Sequence, residues 1–519
     1  MTDRPWSRDI PDGPWDYIVI GSGMGGMTAA AILAKLGRRV LVLEQHYIPG
    51  GFTQTFKRPG YRWDVGVHLV GEMSTKSFPG RLLHDLTGGL LRWAWLGDVY
   101  DEFNFPDGFT IQFPSSIEGF RDTLAEYFPD ERKAIDEYIH LVRGASRATS
   151  GYLRSRPLPW PLGGGKAEAA ALPHITATTA EVLRRLTSDP RLQSVLAAQW
   201  GYYGSTPSKS SFAMHALMVQ HFIRGAYYPE GGAGRIAETM LATVSQSGGW
   251  TAVRRSVESI TTRGDTAVGV RLDDGTTIGA RRVISTVGAP PTARLLPEGT
   301  LPTIRHEPGP AHVSLYLGFE GDVERAGATK YSQWFFDSWD MEVDGWNVAP
   351  GSVTGQPPVL FNSFPSIKDP LHGSDDRHTG EAVTFVPWES FSTWSESRWQ
   401  KRGGAYDSFK DQLTQVMLDQ YQELYPELGP MIRHAELSTP VTTHHFARSA
   451  KGSIYGLVSE PERFLDPGLQ PKTPVKGLYL GGVDAMAPGV TGAMGGGLIA
   501  ALAAEPVRVG RYLRPLMKR

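Results

Sequence analysis

"YIVIGSGMGGMTAAAILAKLGRRVLVLEQ", residues Tyr17 to Gln45, decides the reading of this chain. Tyr17 to Ile20 is a short apolar run suited to a strand buried on both faces. Gly21, Gly23 and Gly26 take the first, third and sixth places of the turn after it. The first glycine permits the tight turn, the second lets a pyrophosphate approach the backbone, and the third lets helix and strand pack closely. The spacing predicts a helix over Thr28 to Leu36, ended by Gly37. Its N-terminus, with unpaired N–H groups and a partial positive charge, favours an anion. Val40 to Leu43 reads as a second buried strand, and Glu44 stands at its carboxyl end, 18 residues after Gly26. A carboxylate there accepts hydrogen bonds from a ribose diol and repels a 2′-phosphate. The βαβ order makes this a nucleotide-binding turn, whereas a bare GxGxxG would be weak.

Other stretches speak to the same ligand. Gly50-Gly51 follows the acid closely and offers a second backbone approach to the pyrophosphate. A nicotinamide that comes and goes seldom needs such a clamp; a dinucleotide enclosed along its length does. Near the C-terminus, "GLYLGGVDAMAPGVTGAMGGGLIAALAA" repeats the grammar of strand, glycine turn, acid (Asp484) and small-residue helix, expected to begin near Gly492. That helix N-terminus is suited to the carbonyl edge of a flavin ring. The alternative is a tightly packed glycine–alanine helix. Between them, Gly225 to Thr286 reads as turn, helix, strand, hairpin and strand, with Gly264-Asp265 and Asp274-Gly275 as hairpin turns. Val257 is expected on a strand returning beside the adenine end.

The bulk numbers exclude several classes. At 519 residues two or more domains are expected. A hydrophobic content of 40%, a charged content of 20% and a net charge of -2 describe an ordinary globular protein without the basic footprint of a nucleic-acid binder. There is no cysteine, so disulfides, cysteine-ligated metals and thiol redox chemistry are excluded, and redox chemistry must come from a bound cofactor. A reducing, cytoplasmic setting fits this composition. The N-terminus does not read as a signal peptide, and no window approaches the length of a membrane span. No HExxH or GxSxG motif is present, and adjacent His444-His445 are poorly spaced for one helix face.

Three blocks, "GSGMGGMTAAAILAKLGRRVLVLEQHYIPGG", "YYPEGGAGRIAETM" and "GLYLGGVDAMAPGVTGAMGGG", together resemble the FAD-dependent amine-oxidase-type flavoproteins. Within them the chain is most similar to the group of phytoene desaturases, carotenoid isomerases and retinol saturases, nearest the all-trans-retinol 13,14-reductase type. "DVGVHLVG", "FPSIKDP" and "STPVTTHHFARSAKGSIYG" carry that finer likeness. The resemblance implies an α/β fold, with a Rossmann-like FAD-binding domain and an inserted α+β substrate domain. The FAD-binding pieces would be 14–75, 225–300 and 470–507, with 76–224 and 301–469 forming the substrate-binding cap. It implies that Gly21, Gly23, Gly26 and Glu44 bind the ADP half of FAD and Gly51 the pyrophosphate. Val257 would meet the adenine side, and Asp484 and the turn near Gly492 the ribityl chain and flavin ring. Phe52 follows the glycine pair where many members carry arginine, so an arginine contact to the diphosphate is not expected.

On the substrate side, six tryptophans between Trp334 and Trp399 read either as the wall of an apolar tunnel or as core. The helix "FAMHALMVQHFI" lines the pocket or is core, and "GGGKAEAAA" at Gly163 to Ala171 reads as an exposed loop or flexible join. His68, in "DVGVH", is the one polar side chain placed near the ring by its position in the family pattern. It is a candidate proton donor or orienting group, with structural packing as the alternative. "RVGRYLRPLMKR", Arg508 to Arg519, carries five basic residues, no acid and interleaved apolar ones. It is a candidate for peripheral contact with an anionic membrane or a solvated tail, and Pro515 is expected to limit any helix.

The expected activity is oxidoreduction of carbon–carbon double bonds in a hydrophobic polyene or isoprenoid, with saturation favoured over desaturation and isomerisation. A non-enzymatic alternative in the same fold is a lipid-binding protein like the Rab GDP-dissociation inhibitors. No second dinucleotide turn for NAD(P)H is evident, so the electron donor is unassigned.

Overall fold

Four parallel strands open the architecture. In the computed structural model, which describes residues 4–157, 164–373 and 376–517, Trp15–Ile20 pairs with Val40–Leu43 on one side and Thr277–Ser285 on the other. Trp250–Ala252 extends the sheet beyond Val40–Leu43. Leu478–Leu480 adds a further parallel strand beside the end of Thr277–Ser285. An antiparallel meander, Val257–Arg263, Thr266–Leu272 and Thr277–Ser285, completes seven strands, turning at Gly264-Asp265 and Asp274-Gly275 as expected. The apolar runs are buried on both faces, as parallel strands covered by helices must be.

The glycine turn feeds helix Met24–Lys35, four residues earlier than the sequence suggested. Gly23 takes the extended cap conformation, which brings Gly25 and Gly26 into the first helical turn. A side chain at Gly26 would put its Cβ 2.0 Å from the Gly21 carbonyl oxygen, and one at Gly25 would meet the Gly482 Cα at 2.8 Å. The C-terminal helix Gly489–Ala504 packs against this one, with Gly497 over the Gly25 carbonyl. Two glycine-bearing helices thus approach backbone to backbone, an approach bulkier residues would prevent.

A second seven-stranded sheet is drawn from two separate parts of the chain. Its order is Ile432–Ser438, Ala311–Glu320, Arg377–Val386, Val359–Ser363, Ser332–Phe336, Val99–Asn104 and Thr110–Pro114. All neighbours are antiparallel except Ser332–Phe336 beside Val99–Asn104. Helix Gly404–Leu424 buries Phe409, Leu413 and Met417 in the core of this sheet. On the other side of the chain's interior, helices Arg132–Ser155 and Phe212–Phe222 pack together. The latter is core: His215 is fully buried and its two ring nitrogens meet the hydroxyls of Tyr138 and Tyr203.

Two local expectations are corrected. "GGGKAEAAA" lies on helix Gly164–Thr176, with Gly163 outside the described residues. Its alanine, lysine and glutamate content outweighs the glycines, and Ala171 and Ile175 are buried. The C-terminal helix Pro506–Met517 runs through Pro515, buries Val509 and Leu513, and is fixed by Tyr512 to Asp85. Pro515 stands two residues before Met517, so it does not interrupt the part of the helix that packs through Val509 and Leu513. Lys518 and Arg519 lie outside the described residues. The strand beside Val40–Leu43 is Trp250–Ala252, whereas Val257 begins the antiparallel meander. Among the described residues no helix is long and apolar enough to cross a membrane.

Candidate active site

A cavity of about 850 Å³ runs from the glycine turn into the second sheet. Gly21, Gly23, Glu44, Gly51, Val257, Asp484 and His68 all border it. Gly26 and Gly492 do not. Gly26 serves only the helix–turn approach described above. Gly492 lies in the second turn of a helix that starts at Gly489, with its Cβ position 2.1 Å from the Ala487 carbonyl oxygen. Gly489, Val490 and Ala493 border the cavity in its place. Gly489 takes a φ of 82°, which sequence periodicity alone does not reveal.

The turn is wired to the acid. Glu44 is buried, and its Oε2 accepts from the Ser22 N–H at 3.0 Å and the Ser22 hydroxyl at 2.6 Å. Its Oε1 accepts from the His46 N–H at 2.8 Å. The Ser22 hydroxyl in turn accepts from the Gly50 N–H at 3.1 Å. Gly51, at a φ of 57°, sits with its Cβ position 3.0 Å from the Gly23 Cα. Ser22 stands inside the motif, but its role depends on side-chain contacts that glycine spacing does not encode.

Asp484 is also buried and spans two segments. It accepts from the Ala289 N–H at 2.8 Å and the Leu457 N–H at 3.1 Å, tying the Leu478–Leu480 turn to both. A side chain at Gly456 would meet its carboxylate at 2.5 Å.

These residues fit a dinucleotide. The Gly23 Cβ position has nothing within 4 Å and faces the cavity, so the turn leaves room that a side chain would fill. Two uncapped helix N-termini, at Gly23 and Pro488, border the same space. Each presents N–H groups without intrahelical partners toward an anion or a polar ring edge.

Away from the turn the wall becomes aromatic. Phe361 meets Trp334 at 4.7 Å and His68 at 4.8 Å between ring centroids, and Tyr202 meets Trp334 at 5.0 Å. Of the six tryptophans, Trp334 and Trp399 border the cavity. Trp346 and Trp394 are buried in the core of the second sheet, Trp388 packs against that core, and Trp339 stacks on Phe105.

Behind this wall lies a polar layer that the sequence did not announce. Tyr202 donates to the buried Asp101 at 2.6 Å. Lys368 donates to the His68 carbonyl at 3.1 Å, to Ser363 at 2.7 Å and to Ser332 at 3.2 Å. Burial pushes Lys368 down to about 7 and, aided by Lys368 and His312, pushes His68 down to about 3. Burial also lowers His312 to about 4, so both imidazoles are neutral. Burial raises Asp101 and Glu381 well above the usual carboxylate range and Asp64 to about 6. The only signals available in sequence were Lys368 inside "FPSIKDP" and a lone acid, Glu381, in the strand RHTGEAVTFV.

Residues 24–504 match the family model for flavin-containing amine oxidoreductases. The chain belongs to that family. It is an FAD-dependent oxidoreductase with the amine-oxidase-type flavoprotein fold, which sets aside the purely lipid-binding alternative. The chain is 32% identical to the all-trans-retinol 13,14-reductase of Homo sapiens over 520 residues, covering 93% of this chain and 84% of that one. It is 27% identical to prolycopene isomerase 1 of an Oncidium hybrid cultivar, covering 92% and 81%. An oxidoreductase structure from Methanosarcina mazei shares the fold, with a TM-score of 0.63 at 16% identity over 93% of this chain and 98% of that one.

Proposed function

We propose that this flavoenzyme saturates a carbon–carbon double bond in an elongated apolar substrate of the polyene or isoprenoid class. One observation carries the reading. A single cavity joins the glycine turn to the aromatic wall of Tyr202, Trp334 and Phe361, so a flat conjugated chain and a flavin would share one continuous space. Aromatic faces suit such a chain through stacking and through the burial of apolar surface. The relatives named as retinol reductases and prolycopene isomerases support the same substrate class.

When bound, FAD supplies two-electron redox chemistry. Gly23, Gly51 and Glu44 would hold its ADP half, with Ser22 fixing the carboxylate. Gly489 and the helix N-terminus behind it would meet the other end, and Asp484 would keep that turn in place. The aromatic wall excludes water and orients the substrate. In this reading 14–75, 225–300 and 470–507 form the FAD-binding unit, and 76–224 and 301–469 the substrate unit.

The helix Pro506–Met517 is the proposed point of peripheral membrane contact. Arg508, Arg511 and Arg514 are exposed together with Val507 and Met517. A basic amphipathic helix of this kind docks on anionic lipid. Liposome flotation unchanged by truncation at Glu505 would refute it.

The decisive experiment is anaerobic incubation of the FAD-loaded protein, oxidised or chemically reduced, with a panel of polyenes and isoprenoids including all-trans-retinol. Mass spectrometry reads the outcome. Gain of two hydrogens with reduced flavin is expected. Loss of two with oxidised flavin identifies a desaturase, and an isomer of unchanged mass identifies an isomerase; either overturns saturation.

A further inference from the structure

Glu381 is 1% exposed, and among the described residues neither of its carboxyl oxygens has a hydrogen-bond partner. Its Oε2 lies 3.4 Å from Nδ1 of His68, which is likewise unpartnered. The His68 side chain keeps 20% of its surface open, and the ring borders the cavity. The imidazole thus has Glu381 against Nδ1 while part of its ring surface opens to the cavity. Phe361 packs edge-on against the ring, and Lys368 holds the His68 backbone through its carbonyl.

An unpartnered, buried carboxylate is expensive, and protonation removes that cost. Burial, with Asp64 adding to it, keeps the Glu381 carboxyl neutral, and Lys368 opposes this only in part. The His68 imidazole is neutral as well. One arrangement satisfies both groups: the carboxyl O–H donates to Nδ1, and the ring proton resides on Nε2.

We propose that Glu381 and His68 form the proton-delivery pair of the reaction at the double bond. This rests on the saturation reading. Saturation adds a hydride and a proton; the hydride is the reduced flavin's contribution, and the proton must come from elsewhere. As hydride adds to one carbon, the π electron pair moves to its neighbour. That carbon bonds to the proton of Nε2–H, whose bonding electrons stay on nitrogen. Nδ1 takes the Glu381 proton, so the imidazole ends neutral in the other tautomer. The carboxylate left behind faces the field of Lys368, with Asp64, Asp101, His312, Tyr228 and Tyr316 as further ionisable groups around the pair. Solvent returns the proton before the next turnover. His68 is the catalytic residue, and Glu381 the positioning residue that acts through it.

The test is Glu381→Gln, whose amide still donates to Nδ1 but releases no proton, beside His68→Phe and the double variant. Infrared spectra of the FAD-loaded proteins need no substrate. In the wild-type-minus-Glu381→Gln difference spectrum one protonated-carboxyl band, separate from those of Asp101 and Asp64, is expected, and it shifts in His68→Phe. With reduced flavin and all-trans-retinol as the probe, kcat of Glu381→Gln falls about 100-fold at unchanged KM. The double variant is no slower than His68→Phe, because the two residues act as one unit. A difference spectrum without that band, or a Glu381→Gln enzyme within twofold of wild-type kcat, overturns the proposal. If the wild type reduces no polyene in the panel, the saturation reading fails, and the infrared arm still decides the pair.

Discussion

The Ser22 hydroxyl donates to Glu44 at 2.6 Å while accepting from the Gly50 N–H at 3.1 Å, so one small side chain joins the glycine turn, the buried acid at the end of Val40–Leu43 and the glycine pair Gly50-Gly51. Ser22→Ala leaves the buried Gly50 N–H without its acceptor and frees part of the Glu44 carboxylate. Loss of one buried partner of this kind costs about 1–3 kcal/mol. The expected result is a lower melting temperature in the FAD-free protein and weaker FAD binding, read by differential scanning fluorimetry and flavin fluorescence titration. Unchanged FAD affinity in Ser22→Ala would mean that Glu44 holds its place without the serine.

Gly23 and Gly26 occupy one motif and predict opposite behaviour. The Gly23 Cβ position is open to the cavity, and its backbone is extended, so Gly23→Ala keeps the FAD-free melting temperature. Its methyl group enters the space proposed for the cofactor, and the expected result is an FAD affinity lower by about tenfold or more, equivalent to roughly 1.4 kcal/mol. Gly26→Ala instead drives a methyl into the Gly21 carbonyl oxygen at 2.0 Å. It destabilises the protein by about 3 kcal/mol whether or not FAD is present. Equal effects of both substitutions on the FAD-free protein would contradict this division.

Such contrasts mark what the sequence can carry. The strand, turn and acid around Gly21 are local, and each residue type there answers a local demand, so their roles are legible from spacing. The start of the helix Gly489–Ala504 is less so: Gly489 and Gly492 look alike in sequence, and only the positive φ of Gly489 and the contact of Gly492 with Ala487 separate them. The alanines after Gly165 were hidden by the glycines before them. The His68–Glu381 contact is of another kind. It depends on the antiparallel register that sets Glu381 opposite Tyr316 in the second sheet, and no local pattern encodes that pairing.

Phe361 touches both Trp334 and His68 and so sits where the aromatic wall meets the polar layer. Phe361→Leu removes ring contact with modest loss of volume. The expected effect is a KM for the reduced polyene raised about tenfold, corresponding to roughly 1.4 kcal/mol of lost stacking and contact, with FAD affinity unchanged. A KM unaffected by this change would place the substrate elsewhere in the cavity.

Lys368 predicts a pH signature that does not depend on catalysis. Burial lowers its ammonium from 10.5 to about 7 in the fold, despite the opposing pull of Asp101, Glu381 and Asp64. Between those two values the unfolded chain binds more protons at this site than the folded chain. Its contribution to stability therefore rises as pH climbs through that window, and is level below the lower value and above the upper one. Lys368→Met removes the titration and leaves a pH-independent loss, because Ser363, Ser332 and the His68 carbonyl lose a donor. Thermal melts of both proteins across the window should show the wild type gaining on Lys368→Met as the solution becomes more alkaline. A difference that stays constant, or narrows, would mean that Lys368 keeps its proton in the fold and that the buried carboxyls beside it are charged.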